Sequence, residues 1–317
     1  MVKVQIANTK VEAKRRRTAA TRTVSPRRLA TFYSGVTPLY SSYGGRARSW
    51  HWGLWEPGIR TRYQAFLRSN EILVEGLEVS SRTRILDVGC GIGGFAVWAA
   101  RKFGCHVMGI TICSAHARLA AQHAEQHGVG HLCEFAQMNM DRMRLSGNPF
   151  DLVVNQESFS HSIDKSRYLS SLVDVLSPGG TWRCIDTVIV PARQRSADAR
   201  RLSRSVREGF CVPSLPSIRE TQRMLRVAGF VNVRTTDLSA RVLPNHDRME
   251  PLSFVLAALF PQWRFAGSRS ERACAADNHR AAFAYMLGLR CGYFRHVFHH
   301  ARIPLVPSAA QGSSHWP

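Results

Sequence analysis

A doubly wound α/β sheet is the fold this sequence predicts, and three observations predict it. Between residues 83 and 190 short apolar runs alternate with helical stretches, as in βαβ units with right-handed crossovers. The run Ile85-Leu86-Asp87-Val88-Gly89-Cys90-Gly91-Ile92-Gly93-Gly94 reads as a buried strand, a glycine-rich turn and the opening of a helix. With 317 residues, 44% of them apolar, the chain can bury a full core in one or two domains.

The elements follow in order. Residues 1–28 carry nine lysines and arginines against Glu12 and almost no large apolar group, so a disordered basic tail is expected there. An arginine-rich leader of this kind also fits an organelle transit peptide. Residues 29–78 read as an aromatic-rich helical or lid segment: Phe32, Tyr33, Tyr40 and Tyr43 come first, then Trp50-His51-Trp52-Gly53-Leu54-Trp55, then a helix from 63 to 77. Tryptophan offers a large apolar face and one donor, which suits either a site wall or plain packing on the core.

Residues 79–190 form the predicted ligand-binding core. Strands are expected at 84–88, 105–110, 131–136, 151–156 and 181–190, with helices at 94–103, 114–127 and 165–176 between them. Ser177-Pro178-Gly179-Gly180 reads as the turn into the fifth strand. Residues 191–292 read as lid insertions around a sixth strand at 229–233, with helices at 217–227, 249–260 and 280–289. Residues 293–303 hold a final strand, and 304–317 a tail.

The formal net charge of +21 favours anionic partners in general, or reflects solvated arginine-rich surface. The eight cysteines form no C-x-x-C pair and no metal-like spacing, which argues for a reducing, cytoplasmic setting. The longest apolar run, 254–260, is far short of the ~18 residues a membrane span needs, and no signal-peptide core opens the chain.

Gly89, Gly91 and Gly94 satisfy the G-x-G-x-x-G spacing, which several ligands share. An NAD site wants a carboxylate about twenty residues on for the ribose. Gly109-Ile110-Thr111 stands there instead, while Asp87 lies two residues before the first glycine. This turn resembles the D-x-G-x-G turn of class I S-adenosylmethionine methyltransferases. Four further ordered blocks extend the resemblance over about residues 33–301: 103–111, 150–158, 161–165 and 176–181. It is similar to the small-molecule branch, the tocopherol, sterol and coclaurine-type enzymes and bacterial natural-product methyltransferases.

The resemblance implies a seven-stranded sheet with an antiparallel last strand, a helical lid, and S-adenosylmethionine as cofactor. On it, Asp87, Gly89, Gly91 and Gly94 would take the amino-acid end of the cofactor, Thr111 and His116 the ribose, and Asn139 and Met140 the adenine, with Asn155 nearby. Cys113 and His116 stand where this branch usually has serine and glutamine, and Asn139 where aspartate is more common. In bacterial sugar O-methyltransferases a histidine after strand four and an aspartate on strand five act as base and helper. His161 and Asp186 occupy matching or adjacent positions, and Glu157 follows strand four. The alternative is a helix-capping histidine and an ion-paired aspartate. Tyr33, Tyr40, Trp50, His51, Trp52, Trp55 and Ser158 are the expected acceptor-binding residues. The remaining histidines, 123, 127, 296, 299 and 300, are expected on solvated faces or a strand edge, with no metal site.

The function expected is methyl transfer to a hydroxyl, amine or electron-rich carbon of a small specialised metabolite, with His161 as base and Asp186 orienting it. C-methylation of a prenyl chain, with Glu157 or an aromatic face stabilising a carbocation, is the alternative enzyme reading. Nucleic acid is disfavoured, because Asn155-Gln156-Glu157-Ser158 replaces the N/D-P-P-Y/F signature of amino-directed nucleic-acid methyltransferases. A catalytically dead scaffold is disfavoured by the intact glycines. Oligomeric state is silent in the sequence, with a homodimer left open.

Overall fold

The computed structural model describes residues 24–43, 45–245 and 269–305, with the side chains of 38–43 and 269–275 outside the description. The expected helix at 249–260, most of the basic tail and most of the final tail lie outside the described residues.

The chain runs α1 (Pro26–Tyr43), α2 (Arg62–Val74), β1 (Arg84–Val88), α3 (Gly94–Phe103), β2 (His106–Thr111), α4 (Ser114–Gln126), β3 (Cys133–Gln137), β4 (Phe150–Gln156), α5 (Lys165–Val173) and β5 (Leu176–Ile189). It continues through α6 (Ala197–Gly209), α7 (Ile218–Val227), β6 (Val231–Asp237), α8 (Ser239–Val242), α9 (Arg269–Arg290) and β7 (Phe294–Arg302). The sheet has seven strands in the order β3-β2-β1-β4-β5-β7-β6. Strands β1 to β5 are parallel, and β7 is antiparallel to both β5 and β6. Chain order reverses between β1 and β4, the switch point where doubly wound sheets bind ligands beyond the strand ends.

Burial follows from this order. Strand β1 and its neighbour β4 are packed on both faces, so Ile85-Leu86 and Leu152-Val153-Val154 are continuous buried apolar runs rather than alternating ones. Two apolar clusters result, one on either side of the sheet: Ile85, Phe95 and Tyr285 belong to one, Leu86, Tyr168 and Trp182 to the other. Helix α2 opens with a reciprocal capping box between Thr61 and Gln64. At its other end the buried Arg183 guanidinium on β5 donates to the carbonyls of Ile72, Leu73 and Glu75, where the helix end is negative.

Several expectations need correcting. Helix α1 starts at Pro26, inside the stretch read as tail, because proline pre-sets φ for a first helical turn. Helix α5 stops at Val173, and Leu176 already pairs with Phe150; the register then jumps to Leu152 opposite Thr181. The proline and glycines thus form an irregularity inside β5, not a turn before it. His123, His296 and His299 are buried rather than solvated. For the last two the reason is topological: β7 lies inside the sheet, between β5 and β6. His299 Nδ1 bonds the Thr235 hydroxyl at 2.9 Å, and its ring stacks on Trp182.

Helices α6 and α9 pack along one another, and α9 also meets α1. Their crossing is close because a Cβ on Gly209 would collide with the Asp277 carbonyl and the Ala281 side chain. Among the described residues no helix is long and apolar enough to cross a membrane.

Candidate active site

Two cavities meet at the carboxyl ends of β1, β4 and β5. The first, about 930 Å³ with its open mouth included, is lined by eight of the nine expected cofactor residues: Asp87, Gly89, Gly91, Gly94, Thr111, His116, Asn139 and Met140. The second, about 880 Å³, is more apolar, walled by Phe32 of α1, Val206 and Phe210 of and after α6, and Ala282 and Tyr285 of α9. Tyr33, Trp50, His51, Glu157 and His161 line both.

The glycine turn shapes the first cavity. Gly89 holds φ +82°, and a Cβ there would fall inside the Ser158 side chain. Gly89→Ala is therefore expected to disrupt this cleft while the sheet survives. Calorimetry with S-adenosylmethionine should show binding weakened by at least about tenfold with little loss of secondary structure, since the strain of a non-glycine residue at such a φ is roughly 1–3 kcal/mol. Asp87, at the end of β1, is 2% exposed. Burial pushes its carboxyl up to about 7, and its Oδ2 has no hydrogen-bond partner. An orphaned buried carboxylate beside an open backbone turn is what a bound ammonium would satisfy. On that observation the cleft fits the zwitterionic end of S-adenosylmethionine.

The ninth expected residue lies elsewhere. Asn155 is fully buried behind the cleft: its amide donates to the Val88 carbonyl and Ser158 Oγ, and its Oδ1 accepts from Tyr168 and Trp182. It fixes β4 to β1 and to α5. Ser158 is likewise drawn in, donating to the Val88 carbonyl at 2.5 Å, and lines the first cavity rather than the second. Trp55 lines neither: its indole N–H donates to Asn245. Tyr40 lies on α1 with its side chain outside the described residues. His116 meets α1, through Thr37 Oγ1 at 3.0 Å. Asn139 caps a short 3-10 turn by accepting from the Asp141 N–H.

At the junction of the cavities His161 Nε2 lies 2.8 Å from the Tyr33 hydroxyl. Burial lowers the His161 pKa to about 4, assisted by Lys165 and opposed by the Cys211 backbone, so the ring is neutral at pH 7. Burial holds the Tyr33 phenol far above its ordinary value, so it stays protonated. Asp186 does not orient His161 as expected. Its two carboxylate oxygens accept from the Ser160 and Thr187 N–H groups at 2.8 and 2.7 Å. It thereby fixes the turn 159–161 that carries the histidine. The buried Lys165, which sequence reasoning missed, braces the same turn through the carbonyls of Ser160 and Ser162.

Glu157 has φ +53°, a sparsely populated conformation for a side-chain-bearing residue and one that clusters at functional sites. Its Oε1 accepts from the Trp52 N–H at 2.6 Å and lies 3.6 Å from His296 Nε2. Burial pushes its carboxyl well up. Tyr285, whose hydroxyl bonds His296 Nδ1 at 2.8 Å while its ring stacks on Trp52, is a wall residue of the second cavity that the sequence did not single out. The helical spacing at 280–289 was its only signal.

Fold, orphaned carboxylate and paired cavities set a polar cleft and a more apolar cavity side by side beyond the strand ends at the switch point of the sheet. A methyltransferase-domain family model matches residues 85–180. The glycine/sarcosine/dimethylglycine N-methyltransferase of Actinopolyspora halophila is 30% identical over 207 residues, 65% of this chain and 35% of that protein. Methyltransferase GfsG of Streptomyces halstedii is 30% identical over 212 residues, 65% of this chain and 74% of that protein. This chain belongs to the S-adenosylmethionine-dependent methyltransferases. It spans about a third of the length of the first of these relatives. The crystal structure of geranyl diphosphate C-methyltransferase from Streptomyces coelicolor A3(2) has the same fold, with a TM-score of 0.69 at 19% identity over 89% of this chain and 99% of that one.

Proposed function

We propose that this enzyme methylates a hydroxyl, amine or electron-rich carbon of a small, largely apolar metabolite. The observation that carries this reading is the shared wall: Tyr33, Glu157 and His161 face both the cofactor cleft and the apolar cavity. An acceptor in the second cavity would stand in line with a methyl group presented from the first, the requirement of a displacement at carbon. S-adenosylmethionine supplies an already activated methyl group. Asp87 and the turn at Gly89 and Gly91 would hold its amino-acid end, with Thr111, Asn139 and Met140 further along the cleft. Helices α1, α6 and α9 act as the lid that keeps water out.

His161 is the general base of this reading. As the new bond to methyl forms, the acceptor proton becomes strongly acidic, so even a histidine of depressed basicity can take it. With the ring proton on Nδ1, Nε2 accepts from the Tyr33 hydroxyl, so the acceptor proton would reach it by relay: Tyr33 passes its own proton to Nε2 and takes the acceptor's. Asp186 acts one step back, holding the turn. The Actinopolyspora relative is a glycine/sarcosine/dimethylglycine N-methyltransferase, and the Streptomyces coelicolor neighbour is a geranyl diphosphate C-methyltransferase. Glu157 lines the second cavity together with Trp50 and Trp52, which gives the prenyl reading its own support, since a carboxyl group and aromatic rings in one cavity suit a developing cation.

The test is an S-adenosylhomocysteine release assay across phenols, amines and prenyl diphosphates. Cofactor-dependent turnover of at least one class supports methyl transfer. Tight cofactor binding with no turnover of any class would sink it.

A further inference from the structure

The outward surface of the helix pair that walls the acceptor cavity carries an unusual charge. Over residues 191–209, Arg193, Arg195, Arg200, Arg201, Arg204 and Arg207 are all exposed, against Asp198 and Glu208, a surplus of four positive charges. Among the described residues none of the six arginines forms an ion pair. The opposite face of α6, Ala199, Val206 and Gly209, is buried. Helix α9 repeats the arrangement. Asn278, Ala282 and Tyr285 face the cavity, whereas Phe283 and Leu287, one turn apart, are 49% and 40% exposed. Arg280 and Arg290 lie on the same outer face, Arg280 ion-paired with the exposed Asp277, so the uncompensated charge of the surface lies mainly on α6. Because both helices turn their inner sides to one cavity and pack side by side, their outer sides form one surface.

We propose that this surface docks on an anionic lipid bilayer. Guanidinium groups match phosphate headgroups in charge and in donor geometry. The apolar face of α6 is already used inside the protein, so its outward arginines meet the headgroups electrostatically, while the exposed phenylalanine and leucine of α9 supply the apolar contact. The protein therefore sits on the membrane with its apolar cavity directly behind the docking helices. The placement stands on these residues alone. Its purpose, access to an acceptor that partitions into lipid, rests on the proposed methyl transfer.

Cosedimentation of the full chain with vesicles of phosphatidylglycerol and phosphatidylcholine, and with vesicles of phosphatidylcholine alone, tests it. Binding is expected to the first only, and to weaken with salt. The variant R193Q/R200Q/R201Q/R204Q should lose about fivefold in partition for each charge removed. R142Q/R144Q/R167Q, which removes three exposed arginines from another face, should keep nearly all of it. F283S/L287S should lose the salt-resistant part of binding. Equal loss per charge in both arginine sets, insensitivity to F283S/L287S, or binding carried wholly by the basic N-terminal residues would overturn the proposal. So would tighter binding to single-stranded RNA with the same charge dependence. Calorimetry with S-adenosylmethionine on every variant separates the two readings: cofactor binding retained while vesicles are ignored removes the docking surface and leaves the methyltransferase.

Discussion

Replacing His161 by alanine is expected to lower turnover by about 10²- to 10⁴-fold, the usual contribution of a positioned general base, with a much smaller change in cofactor affinity. The pH profile makes the expectation specific. A base must be unprotonated, and burial brings the His161 pKa from its ordinary 6.5 down to about 4. At saturating cofactor, the acid limb of kcat/KM for the acceptor should therefore lie near pH 4, with a flat profile through neutrality. A limb near 6.5 would mean a solvated ring and would contradict the buried geometry. His161→Gln separates base from brace. Glutamine can still bond the Tyr33 hydroxyl but cannot hold the proton, so restored turnover in that variant would reduce His161 to a positioning residue.

Asp87→Asn should weaken S-adenosylmethionine binding by about 10- to 150-fold, the loss of one charge-assisted hydrogen bond worth roughly 1.5–3 kcal/mol. The wild-type affinity should itself depend on pH. The cofactor's ammonium selects the carboxylate, whose pKa in the free protein is raised to about 7. Affinity thus rises with pH up to about 7, by roughly tenfold per pH unit below that value, and falls again near pH 8 as an α-amino group loses its proton. The asparagine variant lacks the acid limb. Calorimetry across pH reads both effects. Linkage adds a check on the unliganded protein. The folded carboxyl, at about 7, lies above the usual 3.8, so the folded state binds more protons in that window and stability falls as pH rises through it. At pH 8 the cofactor-free D87N protein should therefore melt above the wild type. An unchanged or lower midpoint would mean that Asp87 is not strained in the empty site.

Much of this was legible because periodicity and the glycine turn are local signals. Asp87, Gly89 and Gly91 could be placed from ten residues, since strand, turn and helix are contiguous there. The parallel, doubly wound character of the first five strands followed from the βαβ alternation. What stayed hidden was long-range. Nothing around Asn155 shows that its amide is consumed by Val88, Ser158, Tyr168 and Trp182, because those partners assemble only when β1, β4, α5 and β5 pack. The same holds for Tyr33, whose hydroxyl finds His161 from 128 residues away and displaces the aspartate expected there. Trp55 was misread for a related reason: it shares a dense aromatic segment with Trp50 and Trp52, but the backbone there sends it toward Asn245. The buried histidines of β7 were misplaced because strand order, not composition, put them inside the sheet.

That strand order has a consequence for biogenesis. β5 and β6 never touch each other; each is joined to the sheet on that side through β7, the last strand of the three to be synthesised. While the ribosome is still making residues 190–293, a nascent β1–β5 layer presents the bare flank of β5, with Arg183, Cys184, Ile185 and Asp186 unpaired on one side. An unpaired apolar edge of this kind is a template for pairing with other chains. Closure by a strand more than a hundred residues downstream is intrinsically slow. Nascent chains of this protein are therefore expected to depend on chaperone protection of that flank until Phe294–Arg302 emerges, and chains released before it should aggregate rather than fold to a smaller sheet.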